Sequence, residues 1–263
     1  MKTNINGIAV YTYGDPKNKP IVFVHGFPYD HTMWEGQVKE LQNEYYCVTY
    51  DVRGLGKSYI GDGQYTMEFY VDDLFMVVKE MKLRKPVLCG LSMGGYIALR
   101  AIERNQNKFR ALILCDTRAE ADNNEGKIKR SANIDTINTK GLETFINKFV
   151  PTCFAKEAVK DKEEYYSSTL EKAHRNNPTG VKGAILAIMS RTDTTHVLPE
   201  IKIPTLVLCG SFDRLTPHQT MRKMAEQIPG SEFAIIPLSG HMSPVENPGA
   251  VNDLIKGFLK RRI

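Results

Sequence analysis

The chain has 263 residues, 42% of them hydrophobic and 25% charged, with a formal net charge of +5. Such a composition excludes a disordered chain, and the length allows a large core without disulfide staples. The positive surplus is mild and spread along the sequence, which argues against a nucleic-acid-binding module.

Residues 6–13 interleave polar and apolar side chains and are expected to form an antiparallel edge strand or a hairpin. Short continuous apolar runs then recur at 21–25 (IVFVH), 45–50 (YYCVTY), 86–90 (PVLCG), 111–115 (ALILC), 205–209 (TLVLC) and 232–236 (EFAII). Unbroken runs of this length, ending near Gly or Asp, predict strands buried on both faces of a parallel sheet. Between 66 and 82, Val71, Leu74, Phe75, Val78 and Met81 fall at three-and-four spacing, one face of a helix with Thr66 as its N-cap. Further helices are expected over 92–103, 218–228 and 249–260. Lys260, Arg261 and Arg262 then read as a solvated helix end favoured by the dipole. Alternating strands and helices imply right-handed parallel crossovers.

The alternation stops between 117 and 200. Residues 118–130 (RAEADNNEGKIKR) are highly charged, and amphipathic segments follow around 142–149, 165–174 and 181–189. A helical insertion over the carboxyl ends of the strands is expected, shaping an apolar pocket.

Cys47, Cys89, Cys115, Cys153 and Cys209 are odd in number and make no Cys-x-x-Cys pair, which points to a reducing compartment. The opening residues MKTNINGIAVYTYGD hold no long apolar stretch, and no run reaches the ~18 apolar residues of a membrane span. A cytoplasmic location is expected, with neither membrane nor nucleic acid as partner.

Gly90-Leu91-Ser92-Met93-Gly94 follows the run PVLCG and opens a helix. A serine on such a strand-to-helix turn projects its hydroxyl above the sheet, and side chains at Gly90 or Gly94 would strike the neighbouring strand and helix. Ser92 is the candidate nucleophile. A serine hydroxyl needs a base, and His241, just after the last run, is the candidate. His31, His174, His196 and His218 read as surface or capping residues, and His25, with Gly26, as the orderer of a turn. Asp213 ends the run TLVLC and is favoured as the partner that orients the imidazole; Asp116, ending LILCD, is a geometric competitor. Two backbone N–H groups would hold an oxyanion: Met93, and Phe27 in the loop after the run IVFVH. Clusters spaced for metal ligation are absent from the sequence, so neither metal nor organic cofactor is expected.

His25-Gly26-Phe27-Pro28, residues 51–58 (DVRGLGKS), the Ser92 motif, residues 210–213 (GSFD) and residues 240–248 (GHMSPVENP) resemble the α/β-hydrolase superfamily. The likeness extends over nearly the whole chain and is strongest to small bacterial esterases and 3-oxoadipate enol-lactonase-like hydrolases. It implies an α/β-hydrolase fold: a mostly parallel central sheet flanked by helices, with a helical cap inserted after the sixth strand. The core would be 1–117 and 200–263 and the cap 118–199, with 116–122 resembling the start of the cap. The stretch 51–58 is then a structural turn and not a phosphate loop, and Trp34 packs its helix onto the sheet. Serine at position 92 excludes the aspartate chemistry of haloalkane dehalogenases and epoxide hydrolases. The expected function is hydrolysis of small carboxylic esters or lactones through an acyl-enzyme. The alternatives are a cofactor-free perhydrolase of the haloperoxidase type and a slow-turnover ligand receptor.

Overall fold

The computed structural model describes residues 1–156 and 163–263. Among them β1 (Lys2–Ile5), β2 (Ile8–Tyr13), β3 (Lys19–Val24), β4 (Tyr45–Tyr50), β5 (Val87–Leu91), β6 (Ala111–Cys115), β7 (Thr205–Gly210) and β8 (Glu232–Ile236) form one sheet. The order across it is β1-β2-β4-β3-β5-β6-β7-β8. The β1–β2 and β2–β4 pairs are antiparallel and all others parallel. This is the mostly parallel α/β-hydrolase sheet the sequence predicts.

Every residue of β5, β6 and β7 is buried, which is why these runs do not alternate. Each fully buried Val, Leu or Ile there contributes about 1.5–3 kcal/mol. The run EFAII behaves differently. As β8 it lies at the sheet edge, and only Ile236 of its five residues is buried. An edge strand has one neighbour, so its apolar pattern overstates its burial.

Helices flank the sheet: α1 (Glu35–Leu41), α2 (Met67–Glu80) and α3 (Met93–Asn105) before β6. The Thr66 hydroxyl accepts from Phe69 N at 3.3 Å, capping α2, whose Val71, Leu74 and Val78 are buried. Trp34 ends a short 3₁₀ turn, His31–Trp34, with its ring 5.2 Å from that of Phe23 in β3. It is fully buried and packs that turn onto the sheet.

Between β6 and β7 run α4 (Asn124–Cys153), α5 (Glu163–His174) and α6 (Pro178–Met189). The charged stretch 118–130 is not all connector. Asn123 caps α4 by accepting from Gly126 N at 2.8 Å, so the charges from 124 onward ride on the helix. α4 bends at Gly141, whose φ of 86° no helix accommodates. α4 packs against both α5 and α6. Asn176 ties this insertion to the sheet's loops: its amide donates to Pro28 O at 2.8 Å, and its Oδ1 accepts from Gly56 N at 3.0 Å.

After β7 come α7 (His218–Glu226), α8 (Ser243–Glu246) and α9 (Pro248–Arg262), the last packing on α1. Among the described residues no helix is long and apolar enough to cross a membrane.

Candidate active site

Ser92 joins β5 to α3 with φ 53° and ψ −113°, a conformation that L-residues avoid. Glycines make that turn possible. A Cβ at Gly90 would lie 2.3 Å from Gly94 O, and one at Gly94 would lie 2.1 Å from Val24 O. The backbone is held by Ser92 N donating to Cys115 O at 3.0 Å and Thr117 Oγ1 donating to Ser92 O at 2.8 Å. The sequence contains no direct sign of the Thr117 contact.

Residues remote in the chain meet at this turn. His241 Nε2 is 2.8 Å from Ser92 Oγ, and His241 Nδ1 is 2.8 Å from Asp213 Oδ2. A carboxylate only accepts, so Nδ1 carries the proton and Nε2 offers its lone pair to the serine hydroxyl. Asp213 also accepts from Leu215 N at 2.8 Å, Thr216 N at 2.9 Å and Thr216 Oγ1 at 2.5 Å. Burial pushes the Asp213 carboxyl up, but His241 and the Thr216 hydrogen bonds outweigh it and hold the group below its ordinary range.

Asp116 takes no part in that chain. Its Oδ1 accepts from Gly210 N at 2.8 Å, and its Oδ2 lies 2.5 Å from Ser243 Oγ. Full burial, with Asp213 nearby, pushes its pKa well above the ordinary carboxylate value. His25 also sits inside: Nε2 accepts from Val52 N at 2.8 Å, leaving Nδ1–H to donate to Gly26 O at 2.8 Å. Burial lowers its pKa and keeps it uncharged. A Cβ at Gly26 would lie 2.7 Å from Leu91 Cδ2 and 3.5 Å from Ser92 Cβ, so the loop bearing Phe27 presses against the serine turn. Met93, the first residue of α3, is buried.

Ser92 and His241 open into a cavity of about 160 Å³. Its lining is not the apolar one the sequence predicts. Phe27, Tyr96, Phe149, Ile188 and Leu215 form one part, while Arg118, Asp122, Lys129 and Arg130 form the other. Of these charges, Lys129 and Arg130 are carried in by α4, while Arg118 and Asp122 lie in the segment before it. Asp122 bonds Arg130 Nε and also lies 3.0 Å from Arg191 Nη1; burial opposes its ionisation, but the arginines hold it below the carboxylate range. Arg118 donates to the Leu215 carbonyl, and no carboxylate of the described residues pairs with it. A separate cleft of about 250 Å³, walled by Tyr29, Met33, Thr169 and Pro244, reaches neither Ser92 nor His241, so the smaller cavity is the chemically relevant one.

Two further groupings escape sequence reasoning. His31 is not an ordinary surface histidine: Nδ1 lies 2.6 Å from buried Asp51, and its ring stacks on Tyr11 at 3.4 Å. Asp30, His31 and Asp51, and likewise Asp116, Cys209 and Asp213, bring ligand-type atoms within 4.8 Å of one another. Asp51 already accepts from His31 N and Lys57 N, and Asp116 and Asp213 hold the partners given above. These contacts account for both clusters as parts of the fold.

Residues 19–248 match the family model for the α/β hydrolase fold, and the chain belongs to that family. A thermophilic esterase from Thermogutta terrifontis, solved with malate bound, is 34% identical over 99% of this chain and 98% of its own, with a TM-score of 0.94. 3-Oxoadipate enol-lactonase 1 of Acinetobacter baylyi is 28% identical over 99% of this chain and 96% of its own length. A non-heme chloroperoxidase of Kitasatospora aureofaciens is 25% identical over 98% of both. The chain is therefore a hydrolase of this family, with ester- and lactone-cleaving proteins among its relatives.

Proposed function

We propose that the protein is a serine hydrolase that cleaves small carboxylic esters or lactones through an acyl-enzyme on Ser92. The carrying observation is the hydrogen-bonded series Ser92 Oγ, His241 Nε2, His241 Nδ1 and Asp213 Oδ2, each step 2.8 Å. In this reading His241 takes the serine proton as Oγ attacks the acyl carbonyl. Asp213 stabilises the resulting imidazolium. The N–H groups of Phe27 and Met93 hold the tetrahedral oxyanion, each worth about 2.7–4 kcal/mol of barrier. His241 then protonates the leaving alcohol, and water, deprotonated by His241 in turn, discharges the acyl group. No step calls for a metal or cofactor.

Residues 118–199 act as a cap over the core of 1–117 and 200–263, and shape the acyl site. Support comes from the cavity wall, where Phe149 and Ile188 of the insertion face Ser92. The cations on that wall favour an acyl chain ending in a carboxylate, in keeping with a relative named for an enol-lactone of 3-oxoadipate. Five free buried thiols fit work in a reducing cytoplasm.

The test is a panel of p-nitrophenyl esters and lactones of increasing acyl length, with Ser92→Ala as control. Turnover that survives in Ser92→Ala at the wild-type rate ends the reading. The chloroperoxidase relative favours a second use of the same acyl-enzyme, in which hydrogen peroxide replaces water and releases a peracid. Peracid formation from acetate and peroxide, exceeding ester hydrolysis, would select it.

A further inference from the structure

His241 owes its place to its backbone. Gly240 N donates to Glu246 Oε1 at 2.8 Å, and Met242 N donates to the same oxygen at 3.2 Å. Between them His241 N donates to Cys153 O at 2.8 Å. The other oxygen, Glu246 Oε2, accepts from Ala155 N at 2.8 Å. Two amides of the histidine loop and one amide just past α4 thus converge on Glu246, while the histidine's own amide bonds the end of α4 directly.

The local sequence explains the convergence. α8 is a single turn that starts after Met242 with Pro244 inside it. One turn returns the Glu246 side chain to the amides preceding the helix, as the glutamate of a capping box does from one position earlier. Glu246 is buried, so its carboxylate is satisfied by these donors instead of water. Little else fits: a Cβ on Gly240 would lie 2.6 Å from Ala155 N, and one on Gly210 would lie 1.9 Å from Gly240 O. The loop is wedged between the end of β7 and the end of α4.

We infer that Glu246 is a positioning residue, joining the histidine loop to the inserted helices so that the imidazole is held between Ser92 and Asp213. The inference rests on the serine-hydrolase reading above. Its consequence is that a change just past the end of α4, 91 residues from Glu246 in sequence but adjacent in space, is felt at His241 through one carboxylate.

The experiment compares wild type with Glu246→Gln, which keeps the volume and loses an acceptor, and with Glu246→Asp, which keeps the charge and shortens the reach. For correctly folded Glu246→Gln, judged by near-UV circular dichroism, kcat on p-nitrophenyl acetate falls about 10–100-fold while KM moves little. The low-field proton resonance of His241 Nδ1–H broadens or disappears, a signature that a loss of stability alone does not produce. Glu246→Asp shows the same changes in smaller measure, and decides the matter if Glu246→Gln does not fold. A lowered Tm with unchanged kcat and resonance overturns the inference. Wild type that a fluorophosphonate fails to label at Ser92 overturns the hydrolase reading instead, while the resonance still reports on Glu246.

Discussion

Asp116 and Asp213 end adjacent strands, and their carboxyl oxygens lie within 4.8 Å of each other, yet only Asp213 bonds the histidine. Two carboxyls that close cannot both ionise without strong repulsion. The structure pushes the two apart: His241 and Thr216 hold the Asp213 carboxyl below its ordinary range, and burial drives that of Asp116 up. Asparagine at each position therefore has opposite consequences. Asp213→Asn presents an amide that can donate to Nδ1 and favours the wrong tautomer, and kcat should fall about 10⁴-fold. Asp116→Asn keeps an acceptor for Gly210 N, turns an amide donor toward Ser243 Oγ where a carboxyl oxygen accepted, and should retain activity near wild type. Steady-state kinetics on one ester decide it, and equal losses in the two variants would contradict the division.

The raised pKa of Asp116 also predicts how stability varies with pH. Its folded pKa is raised, so its contribution is complete below the unfolded carboxylate pKa of about 3.9 and is lost as pH climbs toward the folded value. Within that window the loss reaches up to about 1.4 kcal/mol per pH unit. Asp51 and Asp122 have lowered values and act in the opposite sense, but they are common to wild type and variant. Thermal melts of Asp116→Asn and wild type from pH 4 to pH 8 should thus show the variant gaining on wild type as pH rises. A difference that stays level across this range would mean that Asp116 is ionised in the fold.

What the sequence could reveal depended on whether a signal was local. The middle strands were legible because burial on both faces leaves an unbroken apolar run, and α2 because its apolar stripe and Thr66 cap lie within one segment. The edge position of β8 was not, because strand order is set by pairing between distant runs. Ser92, His241 and Asp213 each stand at a strand end with a recognisable turn, so the three that meet in space had been singled out. Asp116 stands at a strand end too, and only its hydrogen bonds to Gly210 and Ser243 distinguish it. The charged cavity wall was illegible for another reason. Residues 118–130 look like a solvated stretch until α4 is seen to begin at Asn124 and carry Lys129 and Arg130 over Ser92.

Arg118 gives the proposed preference for an acyl chain ending in a carboxylate its test. It lines the cavity, is partly shielded from water, and bonds only a backbone carbonyl among the described residues. A substrate carboxylate would supply the anion that no described residue does. Wild type should prefer monoethyl succinate to the neutral ethyl pentanoate by about tenfold or more in kcat/KM, the worth of one hydrogen bond to a charged group. Arg118→Gln should bring the ratio toward one, and added salt should reduce it in wild type. A neutral ester preferred by wild type would remove the basis for an anionic acyl chain.

Glycines give a paired test of how closely the insertion sits on the core. A Cβ at Gly180, in the first turn of α6, would lie 1.8 Å from Gly54 O, and Gly54 is itself fixed in a left-handed turn at φ 85°. Helix propensity favours alanine over glycine by about 1 kcal/mol, but backbone cannot yield to an overlap of that size, so the collision decides the sign. Gly180→Ala should lower Tm and push α6 away from the core. Ile188, on the same helix, lines the Ser92 cavity, so KM for short esters should rise more than kcat falls. Gly249, near the start of α9, has open space at its Cβ and no left-handed backbone, so Gly249→Ala should stabilise by about 0.4–1 kcal/mol and leave KM unchanged. Melting curves and ester kinetics on the two variants give the comparison. A Gly180→Ala protein as stable as Gly249→Ala, with wild-type KM, would mean that α6 does not rest on the residue 54 turn in solution.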